Sequence, residues 1–146
     1  MMLSKSCEYA IRAVLYVGSR QKTNPEARIG IKEIAAALEI PTHFLGKILQ
    51  NLSRHDILSS IKGPNGGFFI TDAQLLQPMI RIVELVDGLQ IFRRCGLGLK
   101  MCSDAHPCPV HNDFKPCREG MENALRNRTI ASMVENLSAG NVHLVS

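Results

Sequence analysis

Residues 95 to 111, CGLGLKMCSDAHPCPVH, hold three cysteines and two histidines, whereas the ninety-four residues before them contain one cysteine, Cys7. Thiols and imidazoles gathered in so short a stretch are transition-metal donors. Six residues separate Cys95 from Cys102, five separate Cys102 from Cys108, and two separate Cys108 from His111. Structural zinc sites collect their ligands as closely spaced pairs, and only Cys108 and His111 are that close. The wide gaps, with Gly96 and Gly98 in the first and Pro107 and Pro109 flanking the third cysteine, suit a loop wrapped around something larger than one ion. An iron-sulfur cluster fits, since thiolates hold its irons and a histidine or carboxylate sometimes completes the set. Zinc and unligated redox-active thiols are the alternatives that the loop alone leaves open.

The chain has five cysteines, and its beginning does not read as an export signal: there is no small-residue cleavage site, and Glu8 and Arg12 interrupt the apolar stretch. The expectation is therefore a cytoplasmic protein in a reducing compartment, where clustered thiols mean metal or redox chemistry more often than disulfides. No apolar run is long enough to cross a bilayer. Cys7 reads as a small buried residue and Cys117 as one packed on a helix stripe. His106 is a ligand of last resort.

A loop of this kind needs a scaffold, and 146 residues suffice for one core with an oligomerisation element. The spacing of Tyr9, Ala10, Ala13, Val14 and Val17 predicts a first helix over 5–21, buried on most sides. Ile31, Ile34, Ala35 and Leu38 mark a second. Leu45, Ile48, Leu49 and Leu52 mark a third, joined to the second by only Glu39, Ile40 and Pro41. Two short amphipathic helices across so tight a turn form a helix-turn-helix. The strand-like runs at 57–62 and 67–71, with GPNG between them, add a hairpin wing. A further helix is expected over 74–88, starting near Pro78, and one long helix over 112–137, whose apolar stripe is more than a small monomer covers.

The fold class is thus mainly α (α+β): a winged helix-turn-helix with a two-stranded wing and a long C-terminal dimerisation helix. The expected division is a DNA-binding unit over 1–77, followed over 78–146 by the cysteine loop (92–112) and the dimerisation helices. Charge agrees with this division. Up to residue 71 there are nine Lys/Arg against five Asp/Glu, and from 72 onward eight of each, so the whole net charge of +4 lies in the first half.

Early residues of the second helix in such a motif reach base edges in the major groove. Here they are Thr42, His43, Gly46 and Lys47, with Gln50 one turn on. Thr42 and His43 can hydrogen-bond to bases, and Lys47 suits a phosphate or a guanine. The glycine-rich wing tip KGPNGG lets Lys62 and Asn65 lie along a minor groove or its phosphates. The phosphate-loop spacing GxxxxGK[ST] is absent, as are paired carboxylates and any nucleophile with a base placed beside it in sequence, so catalysis is not expected.

In order along the chain, LSKSCEYAIRAVLYV, EIAAALEIPTHFLGKILQNL, SSIKGPNGGFFI, IVELVDG and the cysteine loop resemble the IscR/NsrR family of bacterial transcription regulators. The resemblance implies a homodimer whose winged helices bind a palindromic operator in double-stranded DNA. It also implies a two-iron or four-iron cluster held by Cys95, Cys102 and Cys108. In IscR-like members a histidine three positions after the last cysteine is the fourth ligand, which falls on His111. In NsrR-like members it is an acidic residue of the partner's first helix, which falls on Glu8, and this is the assignment favoured from sequence. The first cysteine gap is six residues where IscR has five, and some relatives lack the cysteines. The expected function is a regulator, in the repressor sense, whose operator binding is switched by a cluster that senses redox state, nitric oxide or cluster supply. A zinc- or thiol-based winged-helix regulator, or an electron carrier, is the alternative.

Overall fold

The computed structural model describes residues 3–145. Its central element is α1 (Lys5–Thr23), whose buried residues Cys7, Ala10, Ala13, Val14, Leu15, Val17 and Gly18 are mostly small, which lets other elements approach closely on several sides. Ser4 caps the helix by accepting from the Cys7 amide at 3.1 Å. Ser4 is in turn held by Asp87, which accepts from its amide at 2.8 Å and bonds its hydroxyl as well. One capping residue thus ties the start of the chain to the end of α5 (Ile80–Val86).

The helix-turn-helix is α2 (Ile31–Leu38) and α3 (Thr42–Arg54). The turn closes because Glu39 adopts a left-handed conformation with φ of 56°, and Pro41, which lacks an N–H, precedes the first turn of α3 where no partner is needed. Leu45, Leu49 and Leu52 are fully buried and Ile48 half-buried, so the apolar stripe faces the core as its spacing requires. Burying each leucine contributes about 1.5–3 kcal/mol.

The wing pairs β1 (Ser59–Ile61) with β2 (Gly67–Phe69), antiparallel, with Ser59 opposite Phe69 and Ile61 opposite Gly67. These strands are shorter than the expected runs because Ile57, Leu58 and Ile70 turn into the core. On the other edge Ile29 bridges Phe68 through two backbone hydrogen bonds of 2.9 and 2.8 Å. At the tip only a glycine fits position 66, since a Cβ there would lie 2.0 Å from the Ile61 carbonyl oxygen.

The helix expected to start near Pro78 is α5, preceded by a short α4 (Asp72–Leu75) that a Thr71/Gln74 capping box starts, and followed by a 3-10 helix (Leu89–Phe92). The one expected over 112–137 is divided into α6 (His111–Asn127) and α7 (Ile130–Ser138). The interval before α5 and the break after α6 share one cause. Arg128 and Thr129 are extended and pair with residues 77–79, where the Met79 amide donates to Arg128 O at 2.8 Å and the Ile130 amide to Gln77 O at 3.0 Å. Thr129 then caps α7 by accepting from the Ser132 amide. The apolar stripe is therefore split too: Ile130 and Val134 bury against α1 of the same chain, and only the α6 part stays open.

The α1–α7 contact depends on Gly18, where a Cβ would lie 2.6 Å from Val134 Cγ2. Gly18→Ala is expected to destabilise the fold by about 1–3 kcal/mol through overpacking, read as a lower urea midpoint. An unchanged midpoint would mean that α7 does not pack here.

Candidate metal centre and nucleic-acid surface

The 3-10 helix places the first cysteine. Ile91 and Phe92 are buried with Cys7, Ile80 and Val83 in a second apolar cluster, and the backbone then leaves that cluster directly into Cys95. Cys95 is buried, whereas Cys102 and Cys108 are half-buried. The three sulfurs lie within 4.8 Å of one another, with Cys95 Sγ 3.6 Å from Cys108 Sγ. Backbone amides of Leu99 and Leu97, the latter 3.4 Å from the sulfur, together with the Cys108 and Cys102 thiols, lower the Cys95 pKa to about 7. A substantial thiolate fraction near neutrality is what a metal ligand requires.

Cys7 differs in kind. Burial, helped by the charges of Asp87 and Glu8, pushes its thiol up to about 12, so it stays protonated in the second apolar cluster. Cys117 is exposed on α6.

His111 is the first residue of α6 and is buried, with 6% of its surface exposed. Its Nδ1 faces Cys102 Sγ at 3.2 Å. Its Nε2 lies 2.8 Å from Asp104 Oδ1, and Lys115 Nζ donates to the same carboxylate at 2.9 and 2.7 Å. Lys115 first, then His111, holds the Asp104 carboxyl down at about 2. Asp104 and Lys115 are missing from the sequence-derived set. Their only sequence signals are that Asp104 follows Cys102 by two residues and Lys115 follows His111 by one helical turn. Glu8 stands apart from this group within the chain, on the first turn of α1, where Lys5 Nζ reaches its carboxylate at 3.1 Å. His106 is exposed, and its amide closes a tight turn with Ser103.

In the helix-turn-helix, α3 turns Thr42, His43 and Lys47 outward, all exposed, with Gln50 beyond them. Gly46 is half-buried, 3.4 Å at its Cβ position from Ile31 of α2. Phe44 is also absent from the sequence-derived set: it is 53% exposed, and its ring centroid lies 4.3 Å from that of His43. Lys62 and Asn65 are exposed at the wing tip. At the base of the wing the Arg28 guanidinium stacks over the Phe69 ring at 4.1 Å.

The donor set suits a thiophilic metal or an iron-sulfur group. It offers three sulfurs, one of them readily ionised, and one imidazole nitrogen beside the sulfur of Cys102. Iron is the metal in the family description that matches residues 3–136, "Rrf2: Iron-dependent Transcriptional regulator". The chain belongs to the Rrf2 family. It is a transcriptional regulator of that family and not an enzyme. Over 136 residues it is 27% identical to a protein of Aquifex aeolicus named as an HTH-type transcriptional regulator, covering 92% of each chain. It is 24% identical to the HTH-type transcriptional regulator IscR of Yersinia pseudotuberculosis, covering 93% of this chain and 80% of that one. The fold of this Rrf2 protein is also that of CymR, the global cysteine regulator of B. subtilis, with a TM-score of 0.71 at 16% identity over 92% and 96% of the two chains. Among the described residues no helix is long and apolar enough to cross a membrane.

Thiol labelling tests these environments. In metal-free protein, iodoacetamide is expected to modify Cys95 at least about ten times faster than Cys7, because its thiolate fraction near neutrality is much the larger. Equal rates by peptide mass spectrometry would mean that the cluster burying Cys7 is open.

Proposed function

We propose that this protein is a homodimeric repressor that binds a palindromic operator in the cytoplasm, and that its DNA affinity is set by an iron-sulfur cluster held by Cys95, Cys102, Cys108 and His111. The observation that carries this reading is the convergence of three sulfurs within 4.8 Å on one loop, with the His111 imidazole beside that of Cys102, in a chain of an iron-dependent regulator family. His111 is preferred to Glu8 as the fourth donor because it already faces Cys102 within the same chain. When bound, the group supplies a tie between loop and helix that oxidants or nitric oxide can break.

The chain's own residues would carry that tie to the DNA. Cys95 ends a segment buried against α1 and α5, and His111 begins α6, so four ligands fastened together would fix the start of α6 on the winged-helix body. Phe114 and Cys117 are exposed on α6, whereas Met121 and Leu125 farther along pack against the chain's own apolar clusters. The exposed start of the stripe is the surface proposed for a second copy. Changing its setting changes the separation of the two α3 helices, and operator half-sites accept only one separation.

Zinc is the second reading, favoured by the 3.6 Å between Cys95 and Cys108 sulfurs. Two thiolates on one tetrahedral ion, each at about 2.3 Å, stand at about that distance.

Anaerobic purification followed by a visible spectrum and iron, sulfide and zinc assays tests the proposal. Matched iron and sulfide with broad absorption are expected. His111→Ala is expected to lose iron at least about ten times faster than Glu8→Ala, and the reverse order would assign the fourth site to the partner's helix. Zinc alone would replace the cluster reading with the metal-ion one. On the DNA side, Lys62→Ala is expected to weaken binding to affinity-selected operator DNA and to reduce the salt slope by about 1, measured by fluorescence anisotropy. An unchanged slope would remove the wing from the interface.

A further inference from the structure

The hydrogen bonds around His111 specify more than its presence near the thiols. An imidazole with a single proton carries it on one nitrogen and offers a lone pair on the other, and the partner of the first decides which. Lys115 Nζ donates to both Asp104 oxygens, so this carboxylate meets His111 as an acceptor and Nε2 is the donor in the 2.8 Å contact. That leaves Nδ1 as the lone-pair atom, and Nδ1 is the one that faces Cys102 Sγ at 3.2 Å. Nε2 has no partner other than Asp104 in the hydrogen bonds of the described residues.

Asp104 is itself held in place. It lies inside the turn closed by Ser103 and His106, which exchange backbone hydrogen bonds of 3.2 and 3.1 Å. Lys115, one turn beyond His111 on α6, grips both of its oxygens. An exposed ion pair of this kind contributes little to stability. Here it aims a carboxylate at a buried imidazole.

We propose that Asp104, set by Lys115, is the positioning residue of this site: it fixes the Nε2–H tautomer and the ring orientation of His111, so that Nδ1 is presented to the metal. The inference rests on the assignment of His111 as a donor under the proposed function. It adds that the loop between Cys102 and Cys108 supplies the group that orients the fourth ligand, in addition to spacing the thiolates. Outer partners of this type raise the basicity of a ligating imidazole and hold it in register.

Two measurements on wild type, Asp104→Ala, Asp104→Asn and His111→Ala test it. In metal-free protein, long-range 15N–1H correlation spectra are expected to show His111 as the Nε2–H tautomer in wild type and in Asp104→Asn, whose side-chain oxygen still accepts. Asp104→Ala is expected to give a mixture of tautomers, with thermal melting confirming that it folds. In metal-loaded protein, Asp104→Ala is expected to lose iron to a chelator about 10–100-fold faster than wild type, with a shifted reduction potential, and Asp104→Asn to lie between the two. A wild-type tautomer and wild-type iron loss in Asp104→Ala would overturn the positioning role. If instead His111→Ala kept its iron as wild type does, the donor assignment beneath the proposal would fall, whatever the tautomer of the ring.

Discussion

The burial of α1 is the constraint on which the rest of the structure depends. Its residues from Ala10 to Val17 form part of the large core beneath the helix-turn-helix, whereas Cys7, one turn earlier, belongs to the second cluster with Ile80, Val83, Ile91 and Phe92. Ile11, Val86 and Leu125 pack against both clusters. The base of the helix-turn-helix and the base of the cysteine loop are thus two ends of one packed object. Close packing of this kind passes on displacement, because neither cluster has slack to absorb it. Small residues on α1 make the arrangement possible, and Gly18 sets the limit of approach where α7 crosses.

The cysteine loop obeys a different rule. Residues 96–107 are mostly exposed and form turns, so apolar burial does not hold them. Their order comes from polar contacts: amides directed at Cys95, the Ser103–His106 turn, and the Asp104 carboxylate shared by His111 and Lys115. A segment held by such contacts opens locally far more easily than a core helix does. Under the proposed function, it would let a metal group be gained or lost while the fold around it persists. Its two ends are nonetheless anchored, at Cys95 by the second cluster and at His111 by the start of α6.

The surface proposed to face DNA is built by exclusion. Leu45, Leu49 and Leu52 take the buried face of α3, which leaves Thr42, His43, Phe44 and Lys47 on the outside. Phe44 is unusual there, a large ring beside His43 in water, where apolar contact with a thymine methyl is available in a major groove. The wing adds Lys62 and Asn65 on a hairpin whose tip only glycine can close at position 66.

The sequence by itself determined the helix-turn-helix, the wing and the grouping of cysteines, because each is a local pattern. Leucines at helical spacing, a turn that Pro41 follows, and a GPNG hairpin specify their conformation within a few residues. It did not determine where the last helix breaks. The run from 112 to 137 has continuous helical periodicity, and what interrupts it at Arg128 is pairing with residues 77–79, some fifty positions away. Nor did it single out Asp104 and Lys115, since a carboxylate and an ammonium on exposed segments are common and only their convergence on His111 distinguishes them. Glu8 and His111 were equally visible as residue types. Tertiary packing decided which of them lies beside Cys102 in this chain, because it carries the start of α6 back to the cysteine loop and leaves the start of α1 beside Lys5.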